Sequence, residues 1–193
     1  MIFAMTKNVL LKMTIAICNI LKSLLVFSFL GLTFLFIYIQ IDKSPFDKGT
    51  FNFETNSGGY SLITKWKDKS VEDYSQIYKL NKIKTTSLYI MYLKMTGILV
   101  VLFFCIKEFL KVIKSVKKVE TFGLGNVKSF RRIGVLILIY SFLTSYYYIG
   151  FEQGGISKLS IPFVPLFLVL LSFVMAEIFK EGVLLKQEND LTI

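Results

Sequence analysis

Hydrophobic and polar positions along this chain separate into long blocks. Residues 23–41 (SLLVFSFLGLTFLFIYIQI) form an uncharged run of 19, residues 133–151 a second run of 19, and residues 159–176 a run of 18. Residues 85–106 are equally apolar but carry Lys94. At ~1.5 Å per residue, a helix of this length crosses the ~30 Å hydrocarbon core of a bilayer. None of the four runs shows the period-two alternation of a membrane barrel strand. The pattern predicts an all-α membrane protein, a single integral membrane domain over 1–193, with four transmembrane helices in an up-down bundle.

The segments between the runs set the orientation. Residues 107–132 hold Lys107, Lys111, Lys114, Lys117, Lys118, Lys128, Arg131 and Arg132 against Glu108 and Glu120. Segments this basic beside a span stay on the cytoplasmic side. That choice puts both termini and the tail 177–193 in the cytoplasm, and the loop 42–84 and a short turn at 152–158 outside. Tyr38, Tyr89 and Tyr146, Tyr147 and Tyr148 then fall at outer ends, where a ring with one wet edge is favoured. Within 107–132 the apolar residues recur at helical intervals through Val119, so the second helix runs on past the membrane. Phe122 to Gly125 breaks it, and Asn126 is placed to cap a new helix near Val127. Ser160 is placed to cap the fourth helix, with Pro162 and Pro165 in its first turns. For the first run a cleaved signal peptide is the rival reading. The run is long for that and no small-x-small site follows Tyr38, which favours a retained span.

The external loop 42–84 nearly balances eight lysines with six acids. Phe51, Phe53 and Thr55, then Tyr60, Leu62, Thr64 and Trp66, alternate on either side of Asn56-Ser57-Gly58-Gly59, which reads as a β-hairpin between the first two helices. Residues 71–84 read as a short helix returning to the membrane. The loop serves as a site of ligand capture or partner contact, or is a solvated linker with local order.

Composition sharpens the class. Hydrophobic residues make up 54% of the chain and mean hydropathy is +0.60, above the usual ~45–50% of soluble domains. The net charge of +10 lies beside the apolar runs on one side, which suits a lipid bilayer with anionic headgroups and argues against direct nucleic acid binding. There is no histidine, and the spans offer no Asp or Glu for an activated nucleophile or a metal. No catalytic, metal or cofactor set is expected. Cys18 and Cys105 read as packing residues on the reducing side. The functional candidates are few. Lys94 lies inside the second run, where charge is costly; it snorkels to the headgroups or forms a polar intramembrane site with Glu152. On the cytoplasmic side Asn126, Arg131, Arg132, Glu188 and Asp190 are candidates for interaction.

Two stretches carry a resemblance. Phe122-Gly-Leu-Gly-Asn126-Val-Lys-Ser-Phe130-Arg-Arg132-Ile133-Gly134 resembles a stretch of the YoaS-like family, and 178–193, with Phe179, Gly182, Leu185, Glu188 and the ending Asp190-Leu-Thr-Ile193, resembles that family's C-terminus. The resemblance implies a bacterial integral membrane protein of about four helices and unknown biochemical function. Because genes of the family often lie beside a small helix-turn-helix regulator, it also implies a cytosolic regulatory partner. The expected activity is that of a non-enzymatic protein of the bacterial cytoplasmic (inner) membrane, free to oligomerise, acting by interaction or regulation through its basic segment and tail. The alternative is a small transporter or channel subunit with Lys94 in a polar site.

Overall fold

The computed structural model describes residues 2–42, 61–67, 80–118 and 122–191. Helix α1 runs Ile2–Ile41, strand β1 Ser61–Lys67, a 3-10 turn Leu80–Lys82, α2 Thr85–Lys117, α3 Leu124–Ser145, β2 Tyr146–Phe151, β3 Gly154–Ser160 and α4 Phe163–Leu191. Three helices are long and apolar enough to cross a membrane: Val9–Ile41, Thr85–Lys117 and Phe163–Asn189. They leave large apolar side chains uncovered, such as Phe27 at 70%, Phe34 at 69% and Leu93 at 73% exposure. Water would not tolerate that surface, whereas hydrocarbon does.

The third helix departs from expectation. The run 133–151 is not one helix, because α3 stops at Ser145 and the remaining six residues form β2. That leaves 133–145, thirteen uncharged residues, and α3 is not among the helices long and apolar enough to span. Its last turn is closed by its own side chains, with the Thr144 and Ser145 hydroxyls donating to the Ser141 carbonyl at 3.2 and 2.6 Å. Such back-bonding competes with continued helix, and Tyr-Tyr-Tyr-Ile favours the extended state.

The chain forms two compact units. One comprises Phe27–Leu99 and Ser141–Phe163, and its centre is an antiparallel three-stranded sheet of order β1-β3-β2. Ser61 pairs with Ser160 and Lys67 with Gly154; Tyr146 pairs with Leu159 and Phe151 with Gly154. The outer edge of β2 continues onto 82–84, where the Lys84 N–H donates to the Gly150 carbonyl and the Glu152 N–H to the Lys82 carbonyl, both at 3.0 Å. Alternation sorts the faces. Ile149, Phe151 and Ile156 are at most 2% exposed and join Ile83 and Leu88 in a core against which Ile63, Phe36, Ile39 and Met91 pack. The other face shows Leu62, Trp66, Leu159 and Tyr146.

This sheet revises three expectations. Residues 61–67 are a strand as expected, but their described partner is β3, eighty-seven or more residues away, not a local hairpin arm; 51–60 lies outside the described residues, as does most of the expected helix 71–84. Gly154 and Gly155 open a strand instead of forming a loop, after a two-residue turn at Glu152 and Gln153. Ser160 ends that strand and caps nothing, with α4 starting at Phe163. Gly155 is required by its partner, since a Cβ there would lie 2.7 Å from the Trp66 ring.

The second unit comprises Met1–Val26, Val100–Tyr140 and Val164–Ile193. Its core is Val127, Ala176 and Val183, with Phe130 and Phe179 packed on them. Ring contacts are Phe130 to Phe179 at 5.0 Å and Phe122 to Phe179 at 6.0 Å.

The glycine contact yields a test. Gly155→Val should destabilise the purified protein by about 1–3 kcal/mol, the usual cost of overpacking. Pairing it with Trp66→Ala should recover part of the loss, while Gly125→Ala, with open space around it, should not destabilise; thermal unfolding in detergent reads all three.

Candidate functional site

The basic segment is built from the end of α2, the start of α3 and the middle of α4. Glu108 lies two residues beyond the uncharged part of α2 and is 6% exposed. Its Oε1 accepts from Lys111 Nζ at 2.5 Å and its Oε2 from the Ser129 hydroxyl at 2.9 Å, while an Arg132 Nη lies 3.5 Å from Oε1. Burial acts to raise the pKa of this carboxylate. The hydrogen bonds from Lys111 and Ser129, with the charges of Lys111 and Arg132, more than offset it, so the pKa lies below the ordinary value. Glu177, on α4, accepts from Arg131 at 2.8 Å and Lys180 at 3.1 Å. The acids thus organise the cations around them, tying α3 to α2 through Glu108 and to α4 through Glu177. Exposed pairs of the second kind contribute ~0–1 kcal/mol; the buried Glu108 matters more.

The candidates separate by placement. Asn126 sits inside α3, not at its cap; it is 3% exposed and its Nδ2 donates to Ser115 Oγ at 3.0 Å. Its amide serves the fold. Arg131 and Arg132 are about half and two-thirds exposed, at 52% and 63% of the side chain. Glu188 is exposed on α4, which continues as helix through Leu191; the Asp190 side chain lies outside the described residues. Sequence reading missed Glu108 as the organising acid and Ser129 as its partner. Their signal was an acid and a hydroxyl in an otherwise basic segment.

Lys94 belongs to the unit with the sheet. Its ammonium donates to the Tyr146 carbonyl and lies 3.4 Å from the centroid of the Tyr147 ring. Carbonyl and π-face take the place of water around the cation. Glu152 is exposed in the β2–β3 turn, and among the described residues no ion pair joins it to Lys94. Ser87, unflagged by the sequence, is 4% exposed and accepts from the Gly150 N–H at 2.7 Å, pinning β2 to the start of α2. Among the described residues no three His, Cys, Asp or Glu side chains gather as a metal would require. Cys18 and Cys105 are free.

The two stretches that carried the family resemblance meet in space. Gly182 leaves room for the Phe122 ring, since a Cβ there would fall 2.2 Å from Phe122 Cδ1. Phe130 contacts Phe179, and Gly134 admits Phe173, whose ring would sit 3.1 Å from a Cβ. A family model described as "Protein of unknown function (DUF2975)" matches residues 74–193. The chain belongs to the DUF2975 family. Comparison with curated proteins and with solved structures finds no match. The DUF2975 region includes α2, α3, α4 and the β2–β3 hairpin but neither α1 nor β1. The third strand of the sheet is therefore supplied from outside it.

Replacing Glu108 with Gln should cost roughly 1–3 kcal/mol, because hydrogen bonds to a charged group are lost. Its lowered pKa also sets a pH dependence: the stabilisation is complete above the unfolded value near ~4.3 and is lost as pH falls through the lower folded value. Acid titration of unfolding should show that loss in the native protein and lack it in the Gln variant.

Proposed function

We propose that this DUF2975 chain is a multi-pass protein of a bacterial cytoplasmic membrane that acts by interaction and not by catalysis. Its outer element is the three-stranded sheet. Its inner element is the basic segment with the C-terminal part of α4, and its partner is a soluble cytosolic regulator of the small helix-turn-helix kind. The pairing of β1 with β3 supports the topology. One strand follows α1 and the other precedes α4, so both connections belong to one face of the membrane, and α3 must return there from the basic end. On this reading α3 makes the fourth crossing with a short uncharged length, its arginines reaching back to the headgroups.

The observation that carries the interaction reading is the pair Leu184 and Leu185, 45% and 62% exposed. They lie beyond Lys180 and Glu181, outside the apolar run, where uncovered leucines on a polar helix mark a contact surface. Val183 beside them turns inward at 7%, so the pair is not needed for the core. The transporter reading with Lys94 in a polar site has less behind it, since Tyr146 and Tyr147 already meet that amine.

Changing Leu184 and Leu185 together to Ser should abolish co-purification of a regulator from native membranes without lowering the amount of inserted protein. An unchanged set of bound proteins, or none from the native chain, would reject the proposal.

A further inference from the structure

Between α2 and α3 lies a cavity of about 390 Å³, lined by Phe104, Glu108, Arg131, Arg132, Val135 and Leu136, within the ~300–1,000 Å³ range of small-ligand sites. Its walls are divided by height. Phe104 and Val135 are 45% and 50% exposed and apolar, while the mouth carries the two arginines. Both helices change character at this level: α2 passes from uncharged to charged between Ile106 and Lys107, and α3 between Ile133 and Arg132.

The charges at the mouth do not cancel. Of the charged residues that line it, Arg131 and Arg132 stand against Glu108, a surplus of one positive charge (two minus one). Glu108 does not repel an anion strongly, because Lys111 and Ser129 occupy its oxygens. Arg132 reaches it at only 3.5 Å, which leaves most of the guanidinium's five donors for another acceptor. Arginine binds phosphate with paired N–H donors.

We propose that this cavity binds one anionic diacyl phospholipid. The phosphodiester sits on Arg132, flanked by Arg131, and an acyl chain lies along Phe104, Val135 and Leu136. Basic recesses between membrane helices on the cytoplasmic side take lipid headgroups in this manner. The site rests on the placement of the chain in a membrane and is independent of the regulatory partner.

The test uses the full chain, purified in detergent, stripped of lipid and offered phosphatidylglycerol or phosphatidylcholine, with retained lipid counted by native mass spectrometry. The native protein should prefer phosphatidylglycerol roughly tenfold: both lipids carry the phosphodiester, but the choline of phosphatidylcholine brings a cation toward Arg131 and Arg132 and cancels the lipid's net charge. Arg132→Gln should bring the preference close to one. Val135→Trp changes no charge and, at a half-exposed position, leaves the fold intact; it should lower phosphatidylglycerol retention by crowding the acyl path. Millimolar inorganic phosphate should not displace the lipid. Equal retention of both lipids, full retention by the Trp variant, or displacement by phosphate would each overturn the site. A chain that stays soluble without detergent would overturn the membrane placement as well, so the two failures are distinguishable.

Discussion

The pairing of β1 with β3 is the constraint from which the rest of this structure follows. It joins residues 61–67, which come before α2, to 154–160, which come after α3. A strand pair exchanges backbone hydrogen bonds that hydrocarbon would leave as the only partners available, so an open sheet belongs at or beyond the membrane surface. One long-range contact thus sets the connection that follows α1 beside the one that precedes α4. The sheet also has few loose ends where it is described. The outer edge of β2 is taken up by 82–84, the Gly150 N–H by Ser87, and its inner face by Ile83, Leu88 and Phe36.

At the basic end the physical problem is the reverse. There the fold must hold many cations close together beside apolar helices. Two acids solve it, Glu108 by hydrogen bonds from Lys111 and Ser129, and Glu177 by bonds from Arg131 and Lys180. The aromatic contacts of Phe122, Phe130 and Phe179 with the gap at Gly182 close α3 on α4. The two stretches that carry the YoaS-like resemblance lie inside the DUF2975 match and supply the residues of this junction.

Much of this was legible from hydrophobic patterning. The start of α2 at Thr85, its extension beyond the apolar run to Lys117, and three of the long apolar helices follow from run length and charge. What escaped notice has a common cause. An uninterrupted apolar run reads alike as helix or as helix followed by a buried strand, so Tyr146–Phe151 was hidden inside 133–151. Gly154 and Gly155 read as a turn because glycine is poor in strands; the reason for them is the Trp66 ring across the sheet, which no local window contains. Asn126 has the chemistry of a cap and is instead spent on Ser115, again a contact eleven residues away.

The account depends most directly on β1 and β3 lying side by side at one membrane face. In a chain with Cys18 and Cys105 replaced, cysteines at the paired positions Thr64 and Ser157 should each react with a membrane-impermeant thiol reagent on intact cells. Placed together, they should join within one chain on mild oxidation, whereas a cysteine at Lys114 should react only after the cells are opened. Reaction of Thr64 and Ser157 from opposite sides, or two accessible cysteines that never cross-link, would contradict it.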